Sequence, residues 1–329
     1  MSLSLTHFAR LRCFLLAFGL IASQAMAQSA PSLASPEQSG SAPTMGDLAR
    51  QYREKKREQV KVSGQDAKDI LNSVDTLLAF ASTDSGLTRH AKVARQLIGQ
   101  ADVEQRLRER LSNDKSTQRL ERAQLTMKKF GMVPRDFEFR KMIVGMMSEN
   151  IAAYYDDKNK TIYLLNWVPL RQQRPVLAHE LTHALQDQNF DLPKWLRRSE
   201  AESQAAQDSA GPEMDNGEHA SARTAVIEGQ AMVVLVDYNL AEFGHRLQDS
   251  PGLIEPMQER LSSMGETPSL HQAPLVLRNG LVFPYREGFT FAVELLVRGG
   301  TQQAFVRPFS RPPQSTHEIL HPEAYLAGE

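Results

Sequence analysis

Cysteine is almost missing from this chain: Cys13 is the one cysteine in 329 residues. A lone thiol builds neither a disulfide framework nor a cysteine-based zinc site, so any metal centre must draw on His, Asp and Glu. An excess of one charge is missing too, with 38 Lys and Arg against 39 Asp and Glu. That balance argues against a strongly basic nucleic-acid binder. Aromatic residues make up 7% of the chain, and they are not interleaved with its basic residues as a base-stacking surface requires. No stretch after the first 27 residues is long and apolar enough to cross a bilayer, which takes roughly 20 residues. What is present, a hydrophobic fraction of 41%, suffices for a real core, and the length suggests about two domains.

The N-terminus has its own grammar. Arg10 and Arg12 precede an apolar run from Cys13 to Ala22, and a more polar stretch ends in Ala25-Met26-Ala27. A positive start, a short apolar segment and an Ala-x-Ala site describe a secretory signal peptide over residues 1–27. Cleavage after Ala27 removes the only cysteine and leaves 36 basic against 39 acidic residues. A thiol-free product suits an oxidising compartment, so a periplasmic or secreted location is expected, with no transmembrane segment after cleavage. Residues 28–46 are rich in Ser, Ala and Pro and read as a flexible linker.

From residue 47 to 130 the pattern is helical and charged. Val74, Leu77, Leu78 and Ala81 repeat at helical spacing, Val93, Leu97 and Ile98 begin a second apolar stripe, and Leu107 and Leu111 extend a third. Residues 50–130 hold 18 basic against 11 acidic side chains. This is either the solvated face of a helical bundle or a surface for an anionic envelope partner.

Beyond Gly131 the character changes. Val133 to Phe139 alternates like a strand, and Ile151–Tyr155 and Thr161–Leu165 flank a polar turn as a β-hairpin would. A helix is expected from about Pro175 to Asn189, a polar excursion over 193–218, a second apolar helix from about Ala220 to Phe243, and a tail of short strand-like pieces and Pro-rich turns. The expected class is α+β, with a helical N-terminal region over 47–130 and a second unit over 131–329.

The chemistry concentrates in the first of those two helices. His179-Glu180-Leu181-Thr182-His183 is an H-E-x-x-H pentad. Histidines four apart lie one turn apart on one helix face, so both imidazoles reach one ion. The Glu between them can approach a water at that ion without ligating it. A catalytic zinc needs a third protein ligand and one open position. No His follows closely after His183, which closes the metzincin pattern. Glu228 stands alone among Ala, Val and Ile in the next apolar helix, a costly place for a carboxylate unless it is paired or metal-bound. Glu218 and His219 are the alternatives. Gly229 beside it would let two helices approach closely.

The pentad with Glu228 in a following helix resembles the gluzincin branch of zinc metallopeptidases. The phrases Ala178–Gln188, Glu228-Gly-Gln-Ala and Ser315–Pro322 are similar to those of a group of bacterial secreted zincin-like proteins. The resemblance covers roughly 131–329. It implies a zincin-like domain with a metal-binding helix pair and a small edge sheet, Zn2+ on His179, His183 and Glu228, and Glu180 as general base. Thermolysin-type enzymes carry an Asp four residues after the ligand Glu; here that position is Met232, and Asp187 is the candidate support for a ligating His instead. An oxyanion donor is also required. Tyr285, His317 and His321 are the late-chain candidates, and His321 is favoured because it accompanies the resembling tail. The hairpin strand before the metal helix could take an extended peptide onto its edge, flanked by Tyr154, Tyr155 and Tyr163. The expected activity is peptide-bond hydrolysis on a peptide or protein substrate. Two alternatives stay open: a catalytically inactive zincin-fold binding or assembly module of the envelope, and a zinc amidase acting on a cell-wall linkage.

Overall fold

A computed structural model describes residues 63–112, 115–142, 153–197, 216–262 and 273–328. The signal and linker readings over residues 1–46, and most of the polar excursion over 193–218, fall outside these. Helix α1 (Gly64–Ser85) forms where the periodicity predicts it: Ser63 caps its first turn by accepting from the Asp66 N–H, and Gly86 ends it in a left-handed conformation at φ 73°. Its apolar stripe of Ile70, Val74, Leu77, Leu78 and Ala81 is buried. Each large side chain there contributes roughly 1.5–3 kcal/mol of burial.

The sheet has three strands. β1 (Ala94–Ile98) runs parallel to β3 (Thr161–Leu165), and β2 (Ala153–Asp156) runs antiparallel to β3, in the order β1-β3-β2. The hairpin is as expected. Its turn is held by the Asp156 carboxylate, which accepts from the N–H groups of Lys158 and Asn159. The helical reading of Val93, Leu97 and Ile98 is corrected: these residues lead into and form β1. Only one end of this strand is buried, so its apolar spacing imitates a helix stripe. One sheet therefore takes β1 from the region before residue 130 and β2 and β3 from the region after it. The strand expected at Val133–Phe139 is a set of turns leading into a helical segment at Phe139, whose N–H donates to Gln124 Oε1, and Val133 and Phe139 are buried as anchors.

Between β1 and β2, helices α2 (Gln100–Ser112) and α3 (Lys115–Lys129) complete the first half of the chain. Helix α4 (Leu170–Phe190) carries the pentad. It begins at Leu170, ahead of Pro175, which lies inside it. Gln173 sets its register on the sheet: the amide donates to Leu165 O at 2.8 Å and accepts from Leu165 N at 3.3 Å. Helix α5 (Asn216–Ala241) packs on α4, and α6 (Ile254–Ser262) follows. The tail is not strand-like: helix α7 (Leu275–Thr301), a π turn (Gln302–Val306) and three short helices, α8 (Arg307–Ser310), α9 (Thr316–Leu320) and α10 (Pro322–Ala327), make it up.

α5 and α7 touch backbone to backbone. A Cβ on Gly229 would lie 2.0 Å from Gly288 O, and one on Gly288 would lie 2.2 Å from Ala225 O. The close approach read from Gly229 is real, and its partner is α7. The described residues thus form a mostly helical α+β structure around one continuous apolar cluster. No described helix is long and apolar enough to cross a membrane.

Candidate metal centre

Helix geometry sets the two histidines side by side. His179 and His183 stand one turn apart on α4, with ring centroids 4.7 Å apart and their Nε2 atoms 3.1 Å apart. α5, pressed against α4, brings Glu228 to the same point. Its Oε2 lies 3.3 Å from His179 Nε2 and 3.4 Å from His183 Nε2. Three ligands of a tetrahedral ion at about 2.0–2.1 Å are separated by about 3.3 Å, the edge of the tetrahedron. The observed triangle fits that figure. His179, His183 and Glu228 are the one group among the described residues with the donor set and spacing for a metal ion.

Burial sharpens the case. His179, His183 and Glu228 are 6%, 2% and 1% exposed. Among the described residues the Glu228 carboxylate has no polar neighbour within bonding reach beyond these two imidazoles. A carboxylate stripped of water and of donors is expensive unless cations face it. Burial favours its neutral form, yet His183 and His179 prevail and hold the carboxyl low, to about 2. Conversely, burial disfavours a charged His183, but Glu228 with Glu180 and Gln186 raises it to about 9. His179, without enough compensation, is lowered by burial. The cluster is built to hold positive charge at one point, by a proton or by a cation.

Glu180 is also buried, at 4% exposure. Its Oε2 accepts from Tyr155 N–H at 2.9 Å, which ties the carboxylate to β2. Burial pushes it up to about 8, against the pull of His183 and of that N–H. From α7, Tyr285 stacks on His179 with centroids 6.4 Å apart and planes 21° apart.

Other expected site residues lie elsewhere. His321 sits exposed at the start of α10, with Nδ1 3.2 Å from Glu323 and its ring against His317. No contact joins it to the histidine pair among the described residues. Glu218 is exposed and accepts from Thr316 N and Oγ1, capping α9 from the start of α5. Glu228, not Glu218 or His219, completes the triangle. Asp187 does not support a ligating histidine. It is buried and accepts from Tyr155 Oη at 2.7 Å, Lys160 Nζ at 2.5 Å and Leu192 N at 3.2 Å, fastening the hairpin to α4. The support for His183 comes from its neighbour, with Gln186 Oε1 lying 2.9 Å from His183 Nδ1.

The peptide-edge reading also changes. β3, the strand before the pentad helix, is paired on both sides, by β1 and by β2. Tyr154, Tyr155 and Tyr163 are buried, with Tyr154 stacked on Tyr163 at 4.7 Å, so they pack the hairpin. Compared with models of known protein families, with curated proteins and with solved structures, the chain matches none.

Proposed function

We propose that this chain is an exported zinc-dependent metallopeptidase with a zincin-like α4–α5 pair, acting on peptide bonds. The observation that carries the reading is the buried triangle of His179 Nε2, His183 Nε2 and Glu228 Oε2, with edges of 3.1, 3.3 and 3.4 Å. Two nitrogens and one oxygen at tetrahedral spacing are a donor set of catalytic zinc, which keeps a fourth position open. Bound there, zinc would supply Lewis acidity, acidifying water and polarising a scissile carbonyl. The chain's own residues do the rest. Glu180, on the same helix, takes the proton of the attacking water and returns it to the departing amine. Its elevated proton affinity suits a group that both accepts and donates near neutrality. The Tyr155 N–H orients the carboxylate. Tyr285, whose ring stacks on His179, is the candidate donor to the tetrahedral oxyanion in place of the exposed His321.

A second reading has an observation of its own. All three ligands and Glu180 are at most 6% exposed, which suits a metal that braces a binding module. One experiment separates them. Zinc-loaded chain is incubated with casein and with purified murein, beside Glu180→Gln. The peptidase reading expects casein cleavage that falls about 10²–10⁴-fold in Glu180→Gln at unchanged zinc content. Cleavage of murein alone identifies an amidase, and zinc binding without either activity identifies the binding module.

A further inference from the structure

We propose that Gln186 and Gln230 are positioning residues, an uncharged amide relay that holds His183 with its Nε2 lone pair toward the cation site. The inference rests on the metal-site reading above and concerns how this chain presents one ligand. Each link has a direction fixed by a group that can act in only one way. Gln186 Nε2 lies 3.1 Å from Ile227 O and 2.8 Å from Gln230 Oε1. A main-chain carbonyl only accepts, so the donor end of Gln186 belongs there. Gln230 Nε2 lies 2.7 Å from Ala304 O, which fixes the second amide by the same rule and leaves its Oε1 to accept from Gln186. The oxygen of Gln186 is then left facing His183 Nδ1 at 2.9 Å, and Nδ1 must donate. An uncharged imidazole that carries its proton on Nδ1 has its lone pair on Nε2. Nε2 is the atom that points at His179 and Glu228.

The relay binds three elements to one ligand. Gln186 is on α4, Ile227 and Gln230 flank Glu228 on α5, and Ala304 is in the π turn. Both glutamines are buried, at 0% and 1% exposure, so water does not substitute for a lost link. Charge accounts for the choice of amides. Carboxylates commonly support ligating histidines, but Glu228 and Glu180 already place two buried carboxyl groups here. A third would be buried without a partner, whereas an amide orients without adding charge. Met232 accordingly occupies the position where thermolysin-type enzymes carry an Asp, and it is buried.

The test titrates the full chain with zinc against a chromophoric chelator and records the histidine N–H protons of the zinc-loaded protein by NMR. Wild type should bind zinc and show a slowly exchanging His183 Nδ1–H line, absent from His183→Ala. Gln186→Leu should weaken zinc binding by about 10–100-fold and abolish that line. Gln230→Leu, which spares the direct Gln186 contact, should weaken binding several-fold and shift the line, and it decides the matter if Gln186→Leu does not fold by circular dichroism. If both variants bind zinc as wild type does and leave the line in place, the relay is overturned while the metal site stands. If wild type binds no zinc, the metal site falls and the relay with it.

Discussion

A proton and a metal ion would compete for one point between His183 and Glu228, where the geometry has room for either. Glu228 draws the His183 imidazolium up to about 9. Zinc must displace that proton, so affinity is greatest above that value and falls as pH drops, by up to about tenfold per pH unit per proton displaced. Calorimetry in two buffers of different ionisation enthalpy at pH 7 should show proton release on zinc binding; no buffer dependence would contradict it. The residues of this triangle are legible in the sequence because their cost is visible there. A helical His pair around a Glu, and a lone carboxylate among Ala225, Val226 and Ile227, are costly to bury unless a cation holds them together. Gln186 and Gln230 announce nothing, since glutamine is an ordinary helix residue and only the fold shows that both are buried. In the sequence Asp187 looks the better support because it carries charge, yet its carboxylate serves Tyr155 and Lys160.

At the scale of elements, the site depends on a crossing. Gly229 follows Glu228, and its missing side chain lets α7 lie against α5. Gly229→Ala must push Gly288 away, so unfolding free energy should drop by at least the roughly 1–3 kcal/mol typical of overpacking. Zinc binding should weaken in the same variant, because Glu228 moves with its neighbour. Denaturant midpoints and the chelator titration measure the two effects together. Gly229→Ala with wild-type stability would show that the helices do not cross there. α7 itself hides in the sequence behind Pro284 and Gly288, both of which read as breakers. Tertiary packing overrides that propensity, as Leu281, Tyr285, Phe289 and Ala292 bury a continuous helical face across them. β1 is hidden for the opposite reason. Ala94–Ile98 has little β-branching, and its pairing with β3 spans too much sequence for any local pattern to reveal.

For the molecule as a whole, a second charge cluster, buried Asp84 and Asp237 beside half-exposed Arg246, joins the ends of α1 and α5. Arg246 pairs with Asp84 at 2.5 Å, and Asp237 Oδ1 accepts from Leu247 N at 2.6 Å. Burial, with Asp84 adding repulsion, raises Asp237 to about 7. The folded chain then keeps a proton that an unfolded aspartate, near about 3.9, releases. Stability contributed by this group is therefore present below about pH 4 and lost as pH rises from there through about 7. Asp237→Asn should flatten the fall in melting temperature over that window and stabilise the chain above pH 7, as differential scanning calorimetry would show. An unchanged pH profile would show that Asp237 does not hold its proton in the folded chain.

A bound metal should act on the same scale, because His179, His183 and Glu228 lie on two helices packed in the core. Binding to the folded state alone stabilises by about 4 kcal/mol when free zinc exceeds Kd about a thousandfold. Chelation should therefore lower the melting temperature by on the order of 10 °C. The metal content of the purified full chain, after dialysis against zinc and then buffer, tests the triangle most directly. About one zinc per chain in wild type, absent from His183→Ala and from Glu228→Ala, is the result expected of the triangle. Zinc-free wild type, or the same zinc content in all three proteins, would contradict it.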